Sequence, residues 1–162
     1  IWKTGPSHMK NRMKELEAPL AGEMSGHIFI ADNYLGFDDA IYAAVRVITQ
    51  MVKGGQSITE FMDSLPEQHA TPELRIDCPD TVKFDSMEKI RAHVLSGHDA
   101  ADVNSIDGVR VRSGDGWWLI RASNTEAALV ARAEAADRTA LDRLLGDIET
   151  TLAAAGLDWK RP

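Results

Sequence analysis

The sequence predicts an α/β (α+β) chain in two parts. A mixed α/β piece comes first, followed by a small, mostly antiparallel four-stranded sheet with two helices on one face. Three observations predict it. Apolar residues recur at helical spacing in some segments and alternate at strand spacing in others. The order after residue 73 reads β-α-β-β-β-α, which packs as one sheet under two helices. Between the parts lies "PEQHATPE", residues 66–73, with two prolines among polar residues. It divides the chain into residues 1–66 and 73–162, with a hinge over 67–72.

The first helix is "SHMKNRMKELEA", capped by Ser7, with Met9, Met13 and Leu16 on one face. "IFIAD", residues 28–32, is a continuous apolar strand expected to be buried on both faces. "FDDAIYAAVRVITQMVKGG" is a helix capped by Asp38 and ended by Gly54 and Gly55. Its inward stripe is Ile41, Ala44, Val45, Ile48 and Val52. "SITEFMDSLP" is a second short helix with a Ser57–Glu60 capping box, stopped by Pro66.

In the second part "ELRIDCP" is a strand with Leu74, Ile76 and Cys78 on one face. "DSMEKIRAHVLSG" is a helix with Met87, Ile90 and Val94 inward. "IDGVRVR", the turn "SGDG" and "WWLIRA" form a hairpin, with Trp117 and Trp118 on opposite faces. "ALVARAEA" is a strand showing Leu129, Ala131, Ala133 and Ala135 on one side. The last helix runs from about Arg138 to Ala155, with Leu141, Leu144, Leu145, Ile148 and Leu152 as its stripe and Gly156 after its end.

Composition narrows the function classes. The 162 residues hold 25 acidic and 18 basic side chains, a net charge of −7, which argues against a nucleic-acid binder. No apolar run reaches membrane-spanning length. One cysteine, Cys78, allows no internal disulfide and fits a cytoplasmic protein. His69, His93 and His98 lack metal-ligand spacing, so no metal site is expected. The opening "IWKTG" has no methionine and reads as a strand entered midway, as in a fragment of a longer protein.

Two polar constellations carry the functional signal. In "GEMSGH", residues 22–27, Glu23, Ser25 and His27 alternate, so an extended backbone would point a carboxylate, a hydroxyl and an imidazole to one side. That comb suits a hydroxyl-rich ligand. In "RASNTE", residues 121–126, Arg121 offers a fork that matches phosphate oxygens. Ser123, Asn124 and Thr125 add hydroxyls, an amide and a tight loop whose N–H groups can cradle an anion. Together they point to a phosphorylated sugar.

These motifs, with "FDDAIYAA", "DGVRV", "WKTG" and the late "LDW", resemble the α-D-phosphohexomutases, and within them the bacterial phosphomannomutase/phosphoglucomutase group. The resemblance covers nearly the whole chain. It implies the end of a sugar-reading domain 3 and all of a TBP-like, phosphate-clamping domain 4. It further implies an isomerase that interconverts hexose 6-phosphate and hexose 1-phosphate through a phosphoserine and a bisphosphorylated sugar. Glu23, Ser25 and His27 would then meet sugar hydroxyls, and Arg121, Ser123, Asn124 and Thr125 would hold the phosphate.

The serine loop and the aspartate-rich Mg²⁺ loop of that family are not found in this sequence. Catalytic residues, Mg²⁺ and the hexose 1,6-bisphosphate activator would therefore belong to N-terminal domains of the same protein, with this fragment inactive alone. The family's "WKTGHS" reads "WKTGPSH" here, which moves the expected loop contacts to Gly5, Ser7 and His8. A stand-alone phospho-sugar binding module and a phosphoglucosamine mutase fragment are the alternatives. The latter usually has glutamine where Met24 stands.

Overall fold

The computed structural model describes residues 1–161. The chain divides into two compact units between Pro66 and Glu67, and each is described by itself.

In the first unit, α1 (Pro6–Leu16) starts at Gly5, whose φ of 116° suits a residue without Cβ. Pro6 takes the first turn, where its missing N–H costs nothing. Ser7, the expected cap, already lies inside the helix and caps nothing. Met13 is buried, but Leu16 stays exposed. The strands β1 (Leu20–Gly22) and β2 (Ile28–Ile30) form an antiparallel hairpin. Phe29 and Ile30 are buried, and the strand ends two residues short of Asp32.

Helix α2 (Ala40–Gly54) is capped by Asp39, not Asp38: the Asp39 carboxylate accepts the Tyr42 N–H at 2.9 Å. Its expected inward stripe also faces the other way. Ile41, Val45, Ile48 and Val52 are exposed, and the buried residue is Ala43. The helix is apolar around most of its circumference, so periodicity does not say which side a small hairpin covers. Helix α3 (Ile58–Asp63) carries the full Ser57–Glu60 capping box.

In the second unit, β3 (His69–Ala70), β4 (Leu74–Asp77), β5 (Val103–Asn104), β6 (Val109–Ser113), β7 (Gly116–Ala122) and β8 (Ala128–Ala135) make one six-stranded sheet. The short β3 and β5 add to the four expected strands. Both β3 and β4 lie antiparallel on the same edge of β8, and the register slips by one residue between them. Thr71 fills the gap: its N–H donates to the Ala133 carbonyl, and its hydroxyl accepts the Ala133 N–H. Part of the segment expected as hinge, residues 69–71, is thus held to this sheet. Pro72 is tolerated because β3–β4 is an edge.

Helices α4 (Asp80–Gly97) and α5 (Arg138–Ala154) cover one sheet face. Leu74, Ile76, Val109, Val111, Trp118, Ile120, Leu129 and Ala131 meet Met87, Ile90, Val94, Leu144, Ile148 and Leu152 there. Helix α4 begins at Asp80, five residues before the expected Asp85, directly after Pro79. Trp118 enters the core at 1% exposure, while Trp117 turns to the opposite face under the Arg110 guanidinium. No helix among the described residues is long and apolar enough to cross a membrane.

Candidate functional site

The first candidate site is the loop between β1 and β2. Its residues are not extended. The Glu23 N–H donates to the His27 carbonyl and the Gly26 N–H to the Glu23 carbonyl, closing a turn in which Gly26 takes a φ of 91°. The comb expected from strand alternation is therefore replaced by two separate pairs. Ser25 Oγ donates to Glu23 Oε2 at 3.3 Å. His27 Nδ1 lies 2.5 Å from Asp38 Oδ2 instead.

The other Glu23 oxygen has a long-range partner. Glu23 Oε1 accepts the Gly5 N–H at 2.8 Å, which places the start of α1 beside this loop. The Gly5 amide is consequently engaged within the protein. Ser7 and His8 are exposed on the first turn of α1.

Sequence reasoning misses Asp38 here, because two adjacent carboxylates at a helix start look alike and the cap is assigned to the first. The structure divides the pair: Asp39 caps α2, and Asp38 bridges to Phe29 of β2 and turns to His27. The Tyr34 hydroxyl donates to Asp39 at 2.6 Å and holds its carboxyl below the usual carboxylate range, helped by the Tyr42 N–H. The same bond raises the Tyr34 phenol. Tyr34 also stacks on Tyr42 at 3.7 Å between ring centroids.

The second candidate site is the loop between β7 and β8. Arg121 ends the run of outward side chains on β7 and is half-buried, its Nη1 donating weakly to the Ala122 carbonyl at 3.3 Å. Ser123 is buried, and its Oγ accepts the Thr125 and Glu126 N–H groups at 3.4 and 3.2 Å. That hydroxyl shapes the loop from inside. Asn124 and Thr125 are exposed at the tip.

Three further ties hold this loop. The Ser123 N–H donates to the Ala128 carbonyl, and the Cys78 N–H donates to the Ala127 carbonyl. Glu126 pairs with Arg75 of β4. Gly108, just before β6, presses on the base of the site. A Cβ there would stand 2.2 Å from the Ile120 carbonyl oxygen and 2.6 Å from Arg121 Cα. Lys83 of α4, another residue the sequence did not single out, reaches the loop with its ammonium. A lone lysine between Val82 and Phe84 carries no pattern that would have marked it.

Chemically, the first loop presents a carboxylate, a hydroxyl and an imidazole–carboxylate pair, and the second presents a guanidinium with exposed amide and hydroxyl groups. Among the described residues no group of three or more His, Cys, Asp or Glu side chains could hold a metal ion.

Residues 1–69 match the family model of the phosphoglucomutase/phosphomannomutase alpha/beta/alpha domain III, and residues 73–151 match the C-terminal domain of the same family. The chain belongs to the phosphoglucomutase/phosphomannomutase family. It is 42% identical over 152 residues to a phosphomannomutase/phosphoglucomutase of Pseudomonas putida, an alignment covering 94% of this chain and 32% of that protein. A phosphomannomutase/phosphoglucomutase of Pseudomonas syringae is 39% identical over 162 residues, all of this chain and 34% of that one. A crystal structure of a phosphoglucomutase/phosphomannomutase family protein from Burkholderia thailandensis superposes with a TM-score of 0.84 at 37% identity. It covers 97% of this chain and 33% of that one. The chain thus spans about a third of the length of the relatives it matches. Both loops fall inside the matched regions, Glu23 to His27 in domain III and Arg121 to Thr125 in the C-terminal domain.

Proposed function

We propose that this chain is the substrate-recognition portion of a cytoplasmic phosphohexomutase acting on glucose and mannose phosphates. The β1–β2 loop, with Glu23, Ser25 and His27, reads sugar hydroxyls. The β7–β8 loop, with Arg121, Ser123, Asn124 and Thr125, takes the phosphate that is not reacting. Gly5, Ser7 and His8 add the loop contacts next to the sugar loop, a reading supported by the hydrogen bond from the Gly5 N–H to Glu23.

In the whole enzyme a phosphoserine outside these residues gives its phosphoryl group to the free hydroxyl of a hexose phosphate. The resulting hexose 1,6-bisphosphate reorients and returns its other phosphoryl group to the serine, giving the isomer. Mg²⁺, when bound by domains outside these residues, would supply charge neutralisation at the serine. What these residues do is bind and orient. Glu23 accepts hydrogen bonds from hydroxyls, while Ser25 and His27 donate or accept according to the hydroxyl they meet. Arg121 supplies a planar, permanently charged fork.

The observation that supports this reading best is the β7–β8 loop itself. A half-buried arginine stands at its base, its tip is polar and exposed, and its inner backbone is tied by several hydrogen bonds. Such a loop is preorganised for an anion. The test is a turnover assay with glucose 1-phosphate, Mg²⁺ and catalytic glucose 1,6-bisphosphate. The complete gene product carrying this chain should form glucose 6-phosphate, and the 162-residue chain alone should form none. Turnover by the chain alone, or none by the complete product, would overturn the reading.

A further inference from the structure

Lys83 is only 5% exposed, although its neighbours Val82 and Phe84 on α4 are open to solvent. Its Nζ donates to the Ser123 carbonyl and to the Glu126 carbonyl, each at 2.9 Å, and lies 2.6 Å from Asp80 Oδ1. The two carbonyls flank the exposed tip of the β7–β8 loop, Asn124 and Thr125. A buried ammonium has three protons to place, and here three acceptors surround it.

This arrangement has a consequence for the loop surface. A peptide unit is planar, and in the trans form its C=O and N–H point in opposite directions. No peptide bond of the described chain is cis. Drawing the Ser123 carbonyl inward onto Lys83 therefore turns the Asn124 N–H outward. Drawing the Glu126 carbonyl inward does the same for the Ala127 N–H. The Ser123 hydroxyl meanwhile engages the Thr125 and Glu126 amides from within. Lys83 thus selects which loop amides face out.

We infer that Lys83 is a positioning residue of the phosphate loop: by holding the Ser123 and Glu126 carbonyls it presents the Asn124 and Ala127 N–H groups, beside Arg121, to the phosphate of a hexose phosphate. The inference rests on the reading of this loop as a phosphate site. Lys83 itself does not touch the ligand. Its ammonium points into the protein, and its effect is exerted through the backbone.

The test measures glucose 1-phosphate binding by calorimetry, with KM and kcat, in the complete gene product and in its Lys83→Met, Lys83→Gln and Arg121→Ala variants. Lys83→Met keeps much of the stem and removes all donors; Lys83→Gln retains one amide donor group. Lys83→Met should weaken binding about tenfold, as expected for the loss of a charge-assisted hydrogen bond. Lys83→Gln should fall between it and the parent. KM should rise more than kcat falls. Ile148→Val, a core change far along α5, serves as a stability control that leaves binding intact.

If the parent does not bind glucose 1-phosphate, both the site and the Lys83 role fall. If Arg121→Ala abolishes binding while Lys83→Met and Lys83→Gln bind like the parent, the Lys83 role alone falls. Should Lys83→Met fail to fold, Lys83→Gln decides. One readout needs no variant: glucose 1-phosphate should shift the Asn124 and Ala127 amide resonances of the parent protein, and unmoved resonances would overturn the inference.

Discussion

Glu23 Oε1 accepts the backbone N–H of Gly5 at 2.8 Å, joining two segments eighteen residues apart. Its second oxygen accepts the Ser25 hydroxyl at 3.3 Å. The carboxylate proposed to read sugar hydroxyls is therefore also the clasp that sets the start of α1 against the β1–β2 loop. The two roles separate by substitution. Glu23→Gln keeps a carbonyl oxygen for Gly5 but loses the charge. Glu23→Ala loses both. In steady-state kinetics with glucose 1-phosphate, Glu23→Ala should lower kcat/KM about a hundredfold and Glu23→Gln about tenfold, steps of roughly 1.4 kcal/mol each. Equal losses in the two variants would show that the Gly5 clasp contributes nothing.

Arg121→Ala should raise KM for glucose 1-phosphate and mannose 1-phosphate alike, because a phosphate contact is blind to the sugar epimer. A lost charge-assisted pair costs on the order of 2 kcal/mol, roughly thirtyfold. Unchanged kinetics on both substrates would show that the guanidinium serves only the sheet surface.

Gly108 holds a φ of 74° and approaches the Ile120 carbonyl and Arg121 backbone too closely for any Cβ. Gly108→Ala should destabilise the second unit by about 1–3 kcal/mol from backbone strain alone, with the clash adding to it. Chemical denaturation followed by tryptophan fluorescence measures this, since Trp118 sits in that core. Phosphate affinity should fall with it if the strand end carrying Arg121 shifts.

The Asp39 cap should make the first unit acid-sensitive. Its carboxyl is held low, first by the Tyr34 hydroxyl and then by the Tyr42 N–H. A carboxyl whose folded pKa lies below its unfolded value contributes stability that is fully present above the unfolded pKa. That contribution is lost as pH falls through the folded one. Thermal melts should thus be insensitive to this group near neutrality and drop below about pH 4. Asp39→Asn, which still caps, should flatten that acid limb. An identical acid limb in Asp39→Asn would assign the loss to other carboxylates.

Within the segment expected as a hinge, residues 67–72, His69, Ala70 and Thr71 pair with β8. Amide hydrogen exchange should show Thr71 protected with the β8 ladder and Glu67 and Gln68 exchanging early. Solution scattering of the complete gene product should then differ with and without glucose 1-phosphate, as domain closure around a ligand requires. Early exchange at Thr71 would place the bend within the edge strand instead.

The β6–β7 hairpin, β8, α5 and the Ser57–Glu60 box were legible in the sequence because each is specified within a few residues. Alternation, a tight turn, a regular leucine stripe and a reciprocal cap are all local signals. The polar loops were legible as composition for the same reason: Glu23, Ser25 and His27, and Arg121 through Thr125, are chemistry-bearing residues in short runs. Tertiary structure alone decided how those residues are used. Asp39 rather than Asp38 caps α2 because β2 draws Asp38 aside. His27 meets Asp38 and Glu23 meets Gly5 because the hairpin and the start of α1 bring distant backbone together. The exposed stripe of α2 and the edge strand at His69–Ala70 depend on which neighbour offers a surface or a free ladder. Lys83 gains its role only through contact with carbonyls about forty residues away. A hydrogen bond needs its partner within about 3 Å and at a favourable angle, and no one-dimensional pattern carries that distance across a fold.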